Sequence, residues 1–462
     1  MNTRRPSVVV ILTDQQRWDT TGAGGNSLGV TPAFDRLATR GTYAATAITP
    51  NPVCAPARAA MQTGMYPSAS GCFRNQLTLD SELPTLAACF HGAGYATGYI
   101  GKWHLGDPDV AGPVEQGERG GYQDWLAANV LEHTSDAYNT VVYDDEGDPV
   151  RLPGYRADAL TDAAIRYAAD HSDEPFLLFL SLLEPHQQNE TDSYDAPEGY
   201  AEQYIGSPLP PDLAALGNGS KVHEQIGGYY GQIKRVDECL GRLMDALRSL
   251  HILEDTIVAF TSDHGCHFRT RVGEYKRSCH EASVRVPFAI SGPGFHRGRR
   301  IEGPISTLDL PPTLLAAAGI AVPDTMQGSS LLERERSDAV LFQVSESEVG
   351  RGLRTRRWKY YVTAPDAHAW NDRHGHRYVE SALYDLENDP SELENLIGQE
   401  SSATVTSDLR RRLAERMIDV GEPEPVIEPA TTTRKGRHLD PRVGSIETSG
   451  FRFGHQRKAV DG

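Results

Sequence analysis

Five short apolar runs punctuate the chain, each closed by polar or turn residues. They span 7–13, 96–100, 176–183, 256–262 and 287–291. Their apolar character is continuous, not alternating, which predicts parallel strands covered on both faces. Between them the period changes to that of a helix. Ile226, Ile233, Val236, Leu240, Leu243 and Leu247 predict a long helix over 223–250. Shorter helices are predicted over 84–93 and over 310–318, the second opened by Pro311-Pro312 and closed by Gly319. This alternation predicts an α/β fold: a large, mostly parallel central sheet flanked by helices.

The texture changes after about Leu332. Runs at 340–344, 351–362 and 382–386 predict strands of a smaller, meandering sheet, with a helix near 405–420 packed on it. From Glu422 the chain is polar and Pro-rich, with basic residues at Arg434, Lys435 and Arg437. The expected organisation is an N-terminal domain over 1–335, an α+β subdomain over 336–425 with a small antiparallel sheet, and a polar tail over 426–462.

Length and composition narrow the class. The chain has 462 residues, 39% hydrophobic and 23% charged, an ordinary globular balance. A disordered chain, a fibrous repeat and a membrane-spanning bundle are excluded. The 45 basic against 63 acidic residues give a net charge of −18, which argues against nucleic-acid and anionic-membrane partners. An anionic small molecule stays possible where cationic groups and a metal gather locally. Cys54, Cys72, Cys89, Cys239, Cys266 and Cys279 form no C-x-x-C pair and no disulfide framework. A reduced compartment fits them. The first apolar run is too short for a signal-peptide core, so it reads as a strand and the expected location is the cytoplasm.

Chemistry gathers where the predicted strands end. Asp14-Gln15 closes the first, Lys102-Trp103-His104 the second, His186 follows the third, and Asp263-His264 closes the fourth. Open parallel sheets bind ligands outside these carboxyl ends. Taken singly, Asp14 or Asp263 reads as a turn or cap residue. Taken together they read as a site. Asp14, Gln15, Asp263 and His264 offer three oxygens and one imidazole, which suits a hard or borderline divalent cation such as calcium, magnesium or manganese. Cys54 opens a helix that Pro56 can begin, where free N–H groups favour an anion. Arg58 lies one turn on and offers a guanidinium to a tetrahedral oxyanion.

The segment Cys54-Ala55-Pro56-Ala57-Arg58, with Thr63-Gly64 after it, resembles the C-x-P-x-R signature of type I sulfatases, of the alkaline phosphatase superfamily. Gly101-Lys102-Trp103-His104-Leu105-Gly106 resembles that family's G-K-W-H-L-G block, and Leu12-Thr13-Asp14-Gln15 its first metal-binding strand end. Pro185-His186, Thr261-Ser262-Asp263-His264-Gly265, Lys276 and the 281–287 block follow in the family's order, and the match covers most of the chain. The resemblance implies an alkaline phosphatase-like fold and sulfate-ester hydrolysis. It implies that Cys54 is oxidised to formylglycine by a formylglycine-generating or sulfatase-maturing enzyme. The hydrated aldehyde is then the nucleophile and completes the metal site. Arg58, Lys102 and Lys276 would neutralise charge on the sulfate and the diol, His104 would act as a base, and His186 would donate to the leaving oxygen.

Gln15 and His264 stand where many sulfatases have Asp and Asn. That pairing resembles choline sulfatases and phosphonate monoester hydrolases; it removes a negative charge, weakens the case for calcium and raises manganese. Calcium is nevertheless the expected ion, with manganese or magnesium as alternatives. His267, Arg269 and Arg271 follow the second metal pair and read either as an ordinary solvated loop or as contacts to an anionic neighbour of the sulfate, such as a uronate. The expected function is a sulfatase acting on a sulfated sugar or oligosaccharide. A phosphonate monoester or phosphodiester hydrolase is the alternative, and a non-catalytic binding protein on the same fold a third reading. A monomer or a homodimer is expected.

Overall fold

The computed structural model describes residues 5–215, 222–296, 298–333, 337–430 and 432. The larger sheet contains β1 (Ser7–Thr13), β2 (Thr42–Ile48), β3 (Ala96–Lys102), β4 (Asp124–Ala128), β5 (Thr140–Tyr143) and β6 (Pro149–Leu152). It continues with β7 (Phe176–Ser181), β8 (Thr256–Ser262), β9 (Arg285–Val286), β10 (Phe288–Ser291) and β11 (Arg299–Ser306). The order is β11-β2-β10-β8-β1-β7-β3-β4-β5-β6, with β9 beside β2. The middle of this sheet, β8-β1-β7-β3-β4, is parallel throughout. Its flanks are mixed. The run at 287–291, expected to be parallel, forms β10 and pairs antiparallel with both β8 and β2. A parallel return needs a crossover element. The link from β8 to β10 holds only a four-residue helix, Glu281–Val284, and the two-residue β9, and is otherwise a loop.

Both faces of β1 are buried, as its continuous β-branched run requires. Val8, Val10 and Leu12 join one apolar cluster, and Val9 and Ile11 the other. On the second face lie Leu160 and Ala164 of the helix Arg156–Asp170, and Val236, Leu240, Leu243 and Leu247 of the helix Val222–Ser249. Among the described residues no helix is long and apolar enough to cross a membrane.

The smaller sheet contains β12 (Ala339–Val344), β13 (Gly350–Thr355), β14 (Trp358–Thr363), β15 (Arg377–Asp385) and β16 (Val426–Glu428). β12 to β15 pair antiparallel, so residues 351–362 supply two strands with a turn between them. β16 pairs parallel with β15. The tail expected from 426 therefore begins at least one strand later, because Val426 and Ile427 supply backbone pairing that polarity alone concealed. Residues 433–462, with the basic group at Arg434–Arg437, lie outside the described residues. The helix Ala403–Asp419 packs Leu409, Leu413 and Met417 on this sheet, in a cluster that includes Ala60 and Tyr66 of the larger unit.

A buried ionic network ties the two sheets together. Lys359 Nζ meets Glu281 Oε1 at 2.9 Å and Glu392 Oε1 at 2.6 Å. Arg354 Nε meets Glu281 Oε1 at 3.0 Å. The Glu281 N–H donates to Glu392 Oε2 at 2.6 Å. All four side chains are buried, so a lost partner leaves an uncompensated charge. Lys359→Ala should lower stability by about 3–5 kcal/mol. Arg377→Ala, which breaks an exposed pair with Asp366, should cost under about 1 kcal/mol. Urea unfolding of the two variants checks the contrast, and equal losses would refute the docking role.

Candidate active site

Cys54 begins the helix Cys54–Thr63, every residue of which is buried. The Ala55 N–H donates to Asn75 Oδ1 at 3.0 Å. The N-terminus therefore sits among the ends of β1, β3, β7 and β8 and is held by a side chain from the following loop. The site's backbone is constrained too. Gly101 has φ 109°, and a β-carbon there would strike the Ser181 carbonyl of β7. Glycine thus lets β3 run close to its neighbour and deliver Lys102. Gln15 and His104 hold φ of 69° and 64°, left-handed values uncommon outside glycine.

Asp14, Cys54, Asp263 and His264 bring their ligand atoms within 4.8 Å of one another. His264 Nδ1 lies 3.0 Å from the Gly265 carbonyl and must donate to it, so Nε2 carries the lone pair. That nitrogen lies 3.5 Å from both Asp14 Oδ1 and Asp263 Oδ1. Gln15 directs Nε2 to Gln187 Oε1 at 2.6 Å, leaving its buried Oε1 without a partner. Two carboxylates, one imidazole lone pair and one orphaned amide oxygen fit a divalent cation. Burial and the neighbouring Asp14 push Asp263 up, whereas Lys102, His186, Arg58 and Lys276 overcome burial and hold Asp14 well below the usual carboxylate range.

Cations surround the same point. Lys276 Nζ lies 2.8 Å from Cys54 Sγ and 3.1 Å from His264 Nε2. Lys102 Nζ lies 3.8 Å from Sγ, 2.7 Å from Asp14 Oδ2 and 2.8 Å from Glu132 Oε1. Burial and Asp14 push the Cys54 thiol up, but the ammonium groups of Lys102 and Lys276 lead the charges that hold it well below its ordinary value. His186 Nε2 stands 3.5 Å from Lys276 Nζ, and its Nδ1 donates to the Gln187 carbonyl at 2.7 Å. Burial lowers His186 to about 4, so its ring is neutral near pH 7 and its Nε2 accepts. His104, half-buried, donates its backbone N–H to the Asn129 carbonyl at 2.6 Å.

Arg58 commits both terminal nitrogens within the protein, while its buried Nε is without a partner. Its Nη1 donates to the Lys102 carbonyl at 2.9 Å and to Ser181 Oγ at 2.7 Å. Its Nη2 lies 3.1 Å from both Asp14 Oδ2 and Asp263 Oδ2. These bonds make Arg58 a brace across four strand ends. The 267–271 group also divides. His267 is fully buried, and its Nε2 donates to the Lys276 carbonyl at 2.9 Å. Arg271 is buried and donates to the Glu392 and Ser391 carbonyls at 3.0 and 2.7 Å. Neither faces a substrate, because both close the loop that carries Lys276. Only Arg269 is open to solvent, 44% exposed, and it is paired with Asp192 at 2.9 Å and stacked on Tyr275. Two site residues escaped the sequence reading, Glu132 and Asn75. Glu132 follows β4, which gave no strand signal of its own.

The family described as Sulfatase matches residues 6–320, and the family described as N-sulphoglucosamine sulphohydrolase, C-terminal, matches 273–419. An ulvan-active sulfatase of Formosa agariphila is 30% identical over 440 residues, covering 90% of this chain and 82% of that protein. A solved structure in complex with its substrate D-glucosamine-2-N,6-O-disulfate superposes with a TM-score of 0.77 at 22% identity, over 91% of this chain and 99% of the other. The phosphonate monoester hydrolase of Agrobacterium radiobacter shares the fold at a TM-score of 0.69 and 22% identity, over 90% of this chain and 96% of the other. With a family match spanning most of its length and a buried Asp, Cys, Asp and His cluster at the strand ends, this chain belongs to the sulfatase family and is a sulfuric ester hydrolase.

Proposed function

We propose that the sulfate ester is carried by a sugar or oligosaccharide and that Cys54 acts after conversion to formylglycine. The carrying observation is the seat of Cys54: a helix N-terminus, 2.8 Å from one lysine and beside an unsatisfied set of metal donors. Its sulfur marks where the oxygen nucleophile stands. Formylglycine supplies a hydrated aldehyde, with one hydroxyl to attack sulfur and a second that lets sulfate leave. Asp14, Gln15, Asp263 and His264, with residue 54, would hold a divalent cation, calcium before manganese or magnesium, which polarises the sulfuryl group.

The chain's own groups do the rest. Lys276 and Lys102 carry fixed charge in a buried site, where it stabilises developing negative charge more than in water. Arg58 keeps the two metal carboxylates in register. His104 is the base for collapse of the intermediate. His186 is neutral in the free protein, and an incoming sulfate favours its imidazolium, which then donates to the leaving oxygen. A maturing enzyme is the partner this reading requires. A cytoplasmic location belongs to it, and six unpaired thiols support that location. The Gln15 and His264 donors keep phosphonate monoesters and phosphodiesters as a second reading.

A hydrolysis panel separates the two. Sulfated monosaccharides and 4-nitrophenyl sulfate should turn over faster than phosphonate monoesters and phosphodiesters, and Cys54→Ala should abolish all of them. Faster turnover of every phosphorus ester would overturn the sulfate preference. An unmodified thiol at position 54 in fully active protein, read by peptide mass spectrometry, would sink the formylglycine step.

Lys276→Ala should lower kcat for 4-nitrophenyl sulfate by about 10²–10³-fold. His267→Ala should lower kcat as well, because it frees the Lys276 carbonyl. The double variant should be no slower than Lys276→Ala alone, since both act through one ammonium. Additive losses in kcat would show that His267 works by another route.

A further inference from the structure

Glu132 is a buried carboxylate with one oxygen committed and one open. Its Oε1 takes Lys102 Nζ at 2.8 Å, and Lys102 in turn reaches Asp14 and Cys54. Its Oε2 is buried without a hydrogen-bond partner. Lys102 holds the group ionised against burial. Such an oxygen costs stability where it stands, since a buried charged acceptor without a donor loses its hydration for nothing. It also stands on a particular side of the site. Gln15 stands on the side of the metal donors, its backbone N–H donating to Asp263 Oδ1 at 3.1 Å. The segment that carries Glu132 borders the imidazoles assigned to the intermediate and the leaving group: the Asn129 carbonyl accepts from the His104 N–H at 2.6 Å, and the Glu132 carbonyl from Nε2 of Gln188, two residues past His186, at 3.4 Å. His104 Nδ1 is a second buried atom there without a partner.

We propose that Glu132 Oε2 receives a hydrogen-bond donor from the leaving group itself, a hydroxyl or ammonium on the carbon next to the one bearing sulfate. The inference rests on the sulfatase reading of the same site. It reverses the sign of the recognition expected from the sequence. A carboxylate in this place repels a uronate, and the one exposed guanidinium of the 267–271 loop, Arg269, is already paired with Asp192. Lys102 and Glu132 then form one device: the ammonium faces the nucleophile and the carboxylate faces the alcohol.

The test uses three sulfate esters of nearly equal size: 2-hydroxyethyl, 2-aminoethyl and n-propyl sulfate. They are measured as substrates by sulfate release, and as competitive inhibitors of 4-nitrophenyl sulfate hydrolysis where turnover is slow. The wild-type protein should favour at least one donor-bearing ester over n-propyl sulfate by about tenfold or more, the scale of a charge-assisted hydrogen bond. Preference for the amine alone identifies an ammonium, and for the alcohol a hydroxyl. Glu132→Gln should erase most of an amine preference and keep part of an alcohol preference. Glu132→Ala should erase both. If Glu132 serves only to hold Lys102, the variants slow all three esters equally and the ratios stay fixed, which would overturn the proposal. Wild-type ratios within threefold would overturn it without any variant. Absence of 4-nitrophenyl sulfate hydrolysis in matured wild-type protein is a separate outcome and would count against the sulfatase reading of the site.

Discussion

One guanidinium holds the site together. Arg58 spans the two carboxylates Asp14 and Asp263, the carbonyl after β3 and the hydroxyl at the end of β7. These groups come from the ends of four parallel strands, two of which would otherwise present like charges to each other in a buried space. Burial of one such pair would drive a proton onto it. Arg58 removes that need at a cost of its own desolvation, which only good geometry offsets. With the brace in place Asp14 stays ionised and the donor set stays open on its other side. Three carboxylates, Asp14, Asp263 and Glu132, then stand with three cations, Arg58, Lys102 and Lys276. A dication entering with an anionic ester shifts that balance by less than the dication alone would, because the ester offsets part of its charge. The net charge of −18 therefore describes the surface and says little about the pocket.

How much of this could be read beforehand depends on how each residue's burial is encoded. β1 and β8 matched their apolar runs to the residue, because Val, Ile and Phe signal two covered faces. β2 left no such signal: Thr42–Ile48 reads Thr-Tyr-Ala-Ala-Thr-Ala-Ile, yet every residue is buried. Its small side chains carry little hydrophobic signal, although it pairs with β10 on one edge and β11 on the other. β4 is short and its run begins with Asp124, so Glu132, which depends on it for position, went unread. The metal donors and Cys54 were legible because their chemistry sits at strand ends and in blocks that resemble a known family. His267 and Arg271 were misread for a physical reason. Polar residues beside a metal pair suggest a wet rim, but a backbone carbonyl can take the hydrogens of a buried imidazole or guanidinium just as water does.

That correction changes what the smaller sheet is for. The loop between β8 and β10 carries Lys276 and has almost no secondary structure of its own. Its order comes from outside. Arg271 donates to the Ser391 and Glu392 carbonyls beyond β15, and Glu281 is held by Arg354 and Lys359 of β13 and β14. His267 then passes this restraint to the Lys276 carbonyl. The C-terminal family match begins at residue 273, inside this loop and ahead of β12 by many residues. Buried contacts therefore cross the boundary expected near 335. The small sheet and the lysine loop fold against each other, and the ammonium beside Cys54 is placed by strands far from it in sequence.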